Sequence, residues 1–284
     1  MIFFAKPLFL HHRAPVGHAC APRRPLRPRP EAGGLAAPHS YYIYMYMRTR
    51  ALVLRTTKYN DEAVITHLLT QSHGCIDMWV RVSRSRRAAV RHTLFQPLTL
   101  VEVEWNEQRK ASLKRPTAAR AVQPFASLPY EPSKLAIALF LADFLHHAVR
   151  SEQDASDVFG YVVDSLQWLD ACPSSYANFH LVFLLRLTRF LGFMPEVADY
   201  VPGSYFDMRS GTFGTGAAPH ADCLTPADAA WVPKLLRMRY ETMRVFRFSG
   251  ADRSRLLAAL NRYYALHLPG FPDLKSLDVL REMF

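Results

Sequence analysis

Between residues 49 and 114 the chain breaks into five short runs rich in alternating apolar and polar residues, with turn signals between them. That pattern predicts a small β-barrel. The runs are residues 49–56 (TRALVLRT), 62–70 (EAVITHLLT), 75–82 (CIDMWVRV), 94–105, clearest at LVEVEW, and 110–114 (KASLK). Residues 71–74 (QSHG) supply a turn in which Gly74 can take positive φ. Residues 106–109 read as the hairpin before the last strand. An OB-type barrel is the economical choice, because it closes its own edges and offers one face and two loops to a nucleic acid. An SH3-like barrel fits the same periodicity.

The third run leads directly into VRVSRSRRAAVRH at residues 80–92, where Arg81, Arg84, Arg86, Arg87 and Arg91 stand with no acidic residue among them. Guanidiniums so gathered repel one another, so folding stability gives no reason to collect them, whereas a polyanion does. A merely solvated charge run is the plain alternative. The distribution of charge favours the polyanion. Of the net +11, residues 1–47 carry +5, residues 48–124 carry +8 and residues 125–284 carry −2. A cationic module followed by a near-neutral half is the footprint of polyanion binding joined to a second task. Tyr59, Trp79, Phe95 and Trp105 fall in or beside the strands. Core packing is their commoner role and stacking on bases the rarer one.

After Pro124 the pattern turns helical. Helices are expected over residues 134–150, 159–172, 176–192 with Gly192 as the cap, 226–247 and 249–267, and a short one in LKSLDVLREMF. Half the residues are hydrophobic, enough to bury a sizeable core. A second basic cluster, Lys234, Arg237, Arg239, Arg244 and Arg247, has helix-compatible spacing in part and reads as a solvated face or a second polyanion or acidic-peptide contact. Asp143 and His147 stand at i and i+4 with His146 between them, but no H-E-x-x-H motif or third ligand accompanies them, so a satisfied pair is expected. The glycine-rich GTFGTG at residues 211–216 lacks the following Lys-Ser/Thr of a phosphate cradle and reads as a flexible hairpin. Cys20, Cys75, Cys172 and Cys223 form no C-x-x-C pair, so free thiols are expected rather than a zinc site or a disulfide framework. No nucleophile–base arrangement or paired carboxylates stand out, and no run approaches the ~20 apolar residues of a membrane span. Residues 1–46, with a Pro/Arg-rich stretch and Met45 and Met47 at its end, read as a disordered extension or a mis-assigned start. A basic tail that adds weak phosphate affinity is the alternative.

These segments resemble the bacterial RecO family of DNA repair and recombination mediators. ALVLRTTKYNDEAVITHLLTQSHG is similar to the family's opening strands, and WVRVSRSRR to its third strand and basic loop. SLQWLD, NFHLVFLLRLTRFLGFMP, YFDMRSGTF and YYALHLPGFPDLKSLDVL resemble its helical half in the same order. The resemblance implies an α+β chain without catalytic turnover: an OB-fold barrel over residues 47–124 and a helical domain over 125–284 that docks proteins. It implies binding of single- and double-stranded DNA and annealing of complementary strands. It also implies partnership with RecR and with the acidic C-terminal tail of single-stranded DNA-binding protein to load RecA. The implied location is cytoplasmic, at the nucleoid. The DNA contacts it implies are Arg55, Lys58, Arg81, Arg84, Arg86, Arg87 and Arg91, with Lys110, Lys114 and Arg115 as helpers. Arg186, Arg189, Lys234, Arg237, Arg244 and Arg247 are candidates for a second basic patch or the acidic-tail contact. Some family members carry a four-cysteine zinc motif after the third helix. Only Cys223 remains of it here, so neither zinc nor any other cofactor is expected. An RNA-binding OB protein of translation or RNA metabolism, and a hydrolase with a helical cap, are the competing classes.

Overall fold

The computed structural model describes residues 45–83, 85, 88–107, 112–149, 155–217, 219–274 and 276–283. Arg84, Arg86, Arg87 and Lys110 of the expected contacts, Cys20, and residues 1–44 of the expected extension lie outside the described residues.

Five antiparallel strands form the first half: β1 (Met45–Lys58), β2 (Ala63–Thr70), β3 (Cys75–Arg81), β4 (Leu100–Glu107) and β5 (Pro116–Ala121), in the order β3-β2-β1-β4-β5. The sheet curls until its edges meet. Lys114 pairs in parallel with Met78: the Trp79 N–H donates to the Lys114 carbonyl at 2.8 Å, and the Lys114 N–H to that of Asp77 at 2.9 Å. Of the fifth strand expected at residues 110–114, residues 110 and 111 lie outside the described residues, and the described part is corrected. Lys114 makes only the closing bridge, and the ladder on β4 starts at Pro116, the first residue of an edge strand, where a missing N–H costs nothing.

Alternation along the strands separates two cores. Ala51, Val53, Leu68, Met78, Val80, Phe95, Val101, Val103 and Trp105 fill the barrel. Leu52, Leu54, Leu69, Leu98 and Leu100 point outward into the helical core with Phe140, Phe144 and Leu145. The middle of β1 is thus buried on both faces, which is why residues 51–54 read ALVL instead of alternating. Leu54 falls at a register shift between Val53 and Arg55, a bulge that lets two outward residues follow in the next rows.

The second half runs α1 (Pro132–Ala148), α2 (Ser156–Ala171), α3 (Phe179–Leu191), three short strands, α4 (Pro226–Ala229), α5 (Trp231–Arg237), α6 (Gly250–His267) and α7 (Ser276–Met283). Barrel followed by helices is the expected order. Gly192 caps α3 in the left-handed region at φ 86°, as expected. Ser249 and Asp252 form a reciprocal capping box on α6. The single helix expected over residues 226–247 is broken. Met238 turns extended after α5 and buries its side chain, and only a 3-10 turn at Met243–Val245 follows.

The glycine-rich segment contributes the second strand of a hairpin, as expected, and that hairpin belongs to a small sheet added to the helical half. Strands β6 (Tyr205–Asp207), β7 (Thr212–Gly214) and β8 (Cys223–Leu224) form a small antiparallel sheet in the order β7-β6-β8. At its turn Gly211 has φ +72°, and a Cβ there would stand 2.7 Å from the Tyr263 hydroxyl. The buried Asp222 carboxylate ties the sheet to α6, accepting from Arg209 at 2.9 Å and from Arg262 at 2.7 Å. Those two guanidiniums, Arg262 first, hold its pKa below the ordinary carboxylate value. A lowered folded-state pKa contributes stability above the ordinary carboxylate range, and that contribution is lost as pH falls through the lowered value. Asp222→Asn therefore lowers the melting temperature at neutral pH, and the gap from wild type narrows on acidification. Thermal melts across the acid range measure both.

Candidate nucleic-acid interface

The cross-strand register sorts the arginines by face. On the outer side of β1, β2 and β3 the paired rows are Leu52–Leu69–Cys75, then Arg55–His67–Asp77, then Thr57–Ile65–Trp79, and Ala63–Arg81 at the end. The first row is covered by the helices. The second lies at the C-terminal end of α1, where the His67 and His146 rings approach to 4.6 Å. Arg55 of this row and Thr57 and Arg81 beyond it are exposed, Ile65 and Trp79 are half-buried, and Ala63 is buried. The guanidinium of Arg115, on the segment leading into β5, lies 5.0 Å from the centre of the Trp79 ring.

The loop after β3 returns to the same seam. The Ala89 carbonyl accepts the β5 N–H of Ala119 at 3.2 Å, and Arg91 follows before the 3-10 turn His92–Leu94. Arg55, Arg81, Arg91 and Arg115 are exposed, and none forms a salt bridge among the described residues. The remaining described candidates differ. Lys58 pairs with Asp61 at 2.6 Å, and Lys114 is ion-paired to Glu107.

The other outer face shows what self-neutralisation looks like. Across β1, β4 and β5, Arg48 and Arg120 converge on Glu102 at 2.5 and 2.7 Å, and Arg48 also reaches Glu104 at 3.5 Å. Arg48 lowers the pKa of Glu102 first, with Arg120 helping against desolvation. On this face Arg48 and Arg120 are held by the barrel's own carboxylates, while Arg50, opposite Glu102, is exposed and without a salt bridge among the described residues.

Burial decides the aromatic candidates. Phe95 is 0 % and Trp105 is 1 % exposed, both in the barrel core, so stacking on a ligand falls away for Phe95. Tyr59 is 62 % exposed, beside Lys58 at the end of β1.

In the helical half the basic residues share no single helix face, because the helix is broken. Lys234 and Arg237 lie on α5, Arg244 in the 3-10 turn and Arg247 beyond it. Arg186 is committed to structure: it donates to the Met238 carbonyl at 3.2 Å and sits over the Tyr240 ring at 5.9 Å. Lys234 lies 4.3 Å over Trp231. Arg189, Arg237, Arg239, Arg244 and Arg247 are exposed. Asp143 meets His147 at 3.8 Å and accepts from the Ser276 hydroxyl at 2.7 Å, the satisfied pair its spacing suggests. Cys75 donates to the Val149 carbonyl at 3.0 Å, and burial pushes its thiol up to about 12. Sequence reasoning missed His67 and His73 beside this pair, since nothing local in β2 or its turn announces a neighbour on α1.

Comparison with known proteins bears on both halves. Residues 45–125 match the family model described as Recombination protein O N terminal, and residues 129–278 the one described as Recombination protein O C terminal. The DNA repair protein RecO of Bacteroides fragilis is 48% identical over 242 residues, covering 84% of this chain and 100% of the relative. That of Phocaeicola vulgatus is 45% identical over 240 residues, and that of Flavobacterium johnsoniae 31% over 241, each with the same coverage of 84% and 100%. Barrel and helical half thus match in one order, along the whole length of these relatives, and the chain belongs to the recombination protein O family.

Proposed function

We propose that this protein is a DNA-binding recombination mediator that holds single- and double-stranded DNA on the open face of its barrel and anneals complementary strands. Membership in the family supports a role in DNA repair and recombination. The observation that carries the finer reading is the asymmetry of the barrel: Arg55, Arg81, Arg91 and Arg115 stand exposed without carboxylate partners among the described residues, while Arg48 and Arg120 are neutralised on the opposite face. Unpaired guanidiniums bind phosphates by releasing condensed counterions, without regard to sequence. Two strands held side by side on such a surface have their mutual repulsion screened, so their bases can pair.

In this reading residues 47–124 carry the DNA and residues 125–284 carry the partners. RecR and the acidic tail of single-stranded DNA-binding protein dock on the helical half, which brings the complex to coated DNA and helps load RecA. The exposed Arg189, Arg237, Arg244 and Arg247 supply the charge an acidic peptide end requires. The site is cytoplasmic, and the chemistry is binding rather than turnover.

A salt titration tests the reading. Binding of a single-stranded oligodeoxynucleotide falls linearly on a log–log plot, with a slope near −0.7 per phosphate contact, so about four contacts give roughly −3. An oligoribonucleotide competes no better than its DNA counterpart. Salt-insensitive binding, or a strong preference for the ribo-oligomer through its 2′-hydroxyls, overturns it.

A further inference from the structure

Where α1 ends against the barrel, a cavity of about 850 Å³ opens beside the row that carries Arg55 and His67. That volume suits a small planar ligand with room for its surroundings. Its walls combine apolar side chains, Leu54, Ile76 and Val149 among them, with the rings of His67, His73, His146 and His147. The His146 ring lies 4.6 Å from that of His67 and 4.7 Å from that of His147.

The charges of the cavity indicate which part of a nucleotide it takes. Its carboxylates Asp77 and Glu107 are bound to His67 and Lys114, and Asp143 close by is bound to His147 and Ser276. Among the described residues of the lining no Lys or Arg is left over to receive a phosphate, while Arg55 and Arg81 stand exposed outside. Burial, then the neighbouring His67, His147 and Arg55, lowers the His146 pKa to about 4, so that ring is neutral at neutral pH. A neutral imidazole is an aromatic plate with one donor and one acceptor, suited to a base rather than an anion.

Spacing links this cavity to Trp79. Outward residues on a strand recur every second position, about 6.6 Å apart. Trp79 stands one such step from Asp77 and its row partner His67. An extended single strand places successive bases at a comparable interval. A guanidinium plane and an indole both stack bases, and Arg115 and Trp79 already lie against each other.

We propose that the outer face of β1, β2 and β3 is a track for unpaired DNA, with one base resting on the Trp79–Arg115 pair, the next entering the imidazole-lined cavity against His146, and the phosphates remaining outside at Arg81 and Arg55. The proposal rests on the DNA-binding reading above and adds to it a site that recognises bases released from the duplex.

The test uses the full chain and three probes: an oligothymidylate, a duplex, and an abasic strand of equal length that keeps the phosphates and lacks the bases. Trp79→Ala and His146→Ala each weaken oligothymidylate binding about tenfold and leave the duplex and abasic affinities unchanged. Trp79→Phe and His146→Phe, which keep an aromatic plate, restore binding and exclude a merely structural loss. Equal losses on all three probes, or no loss on any, overturn the track. If the alanine variants are silent while wild-type binding stays steeply salt-dependent, the base site fails and the DNA-binding reading stands. If wild type binds none of the probes, both fail.

Discussion

Arg81→Glu, Arg91→Glu and Arg115→Glu introduced together abolish strand annealing and reduce oligonucleotide affinity by about 100-fold or more, with the salt slope falling by roughly 2–3. The three residues come from the end of β3, the loop whose Ala89 pairs with β5, and the lead into β5, where Arg115 lies against Trp79. None has a carboxylate partner among the described residues, so reversal breaks no ion pair that stabilises the fold. Each substitution removes one phosphate contact and adds one repulsion. Surface substitutions of this kind change stability by only about 0.5 kcal/mol each, so far-UV circular dichroism and the melting temperature stay near wild type. Arg48→Glu and Arg120→Glu form the matched control on the opposite face. There the arginines already serve Glu102, so reversal disturbs the sheet locally and leaves the salt slope where it was. Arg84→Glu, Arg86→Glu and Arg87→Glu together, in the loop singled out by sequence, give the same loss as the first triple. Equal annealing by both triples and wild type at moderate salt overturns the interface.

The contrast between Arg48 and Arg55 shows how far the sequence could be read. Both are arginines on one strand, and no local pattern distinguishes them. Their fates differ because β4 brings Glu102 and Glu104 opposite Arg50 and Arg48, whereas β2 brings His67 opposite Arg55. Register is non-local, so the charge count located the cationic half without showing which of its arginines find carboxylate partners. The same limit hid His67 from α1. Strands β1 to β4 were legible because each is a short run rich in apolar and β-branched residues bounded by turn signals, alternating in most of its length, with the buried ALVL of β1 as the exception. β5 was misplaced because residues 110–114 alternate too, and among the described residues of that run only Lys114 pairs, in the closing bridge and not in the ladder on β4. The break after α5 was hidden for a related reason: Met238 is a good helix former that leaves the helix to fill the core. Gly192, by contrast, announced its cap because a left-handed C-terminal residue is a local requirement.

Asp170→Ala destabilises the protein by about 2–4 kcal/mol, the largest stability effect expected of an exchange outside the apolar core. The carboxylate sits near the end of α2 and gathers the segment that leads from the barrel to α1. It accepts the backbone N–H groups of Ala126 at 2.8 Å, Ser127 at 2.8 Å and Leu128 at 2.7 Å. The Ser127 hydroxyl bonds the Asp170 carbonyl at 2.5 Å, and the buried Lys134, 1 % exposed, donates to both that carbonyl and Ser127. Alanine orphans three donors at once, at roughly 1 kcal/mol each, with more for the buried Leu128, which water cannot reach. Partial burial alone would raise the Asp170 pKa, but the N–H groups of Ala126, Leu128 and Ser127 outweigh it and hold the carboxyl below its ordinary value. Its contribution is therefore present above the ordinary carboxylate range and fades as pH falls through the lowered value. Against a total stability of about 5–15 kcal/mol, the loss lowers the melting temperature by roughly 5–15 °C. Urea unfolding gives a reduced midpoint with an unchanged m-value, since the surface exposed on unfolding is the same. Asp170→Asn, which keeps one acceptor oxygen, falls between alanine and wild type. A melting temperature within ~1 °C of wild type for the alanine variant would show that water replaces all three bonds, and that the segment between barrel and helices is held by its apolar contacts alone.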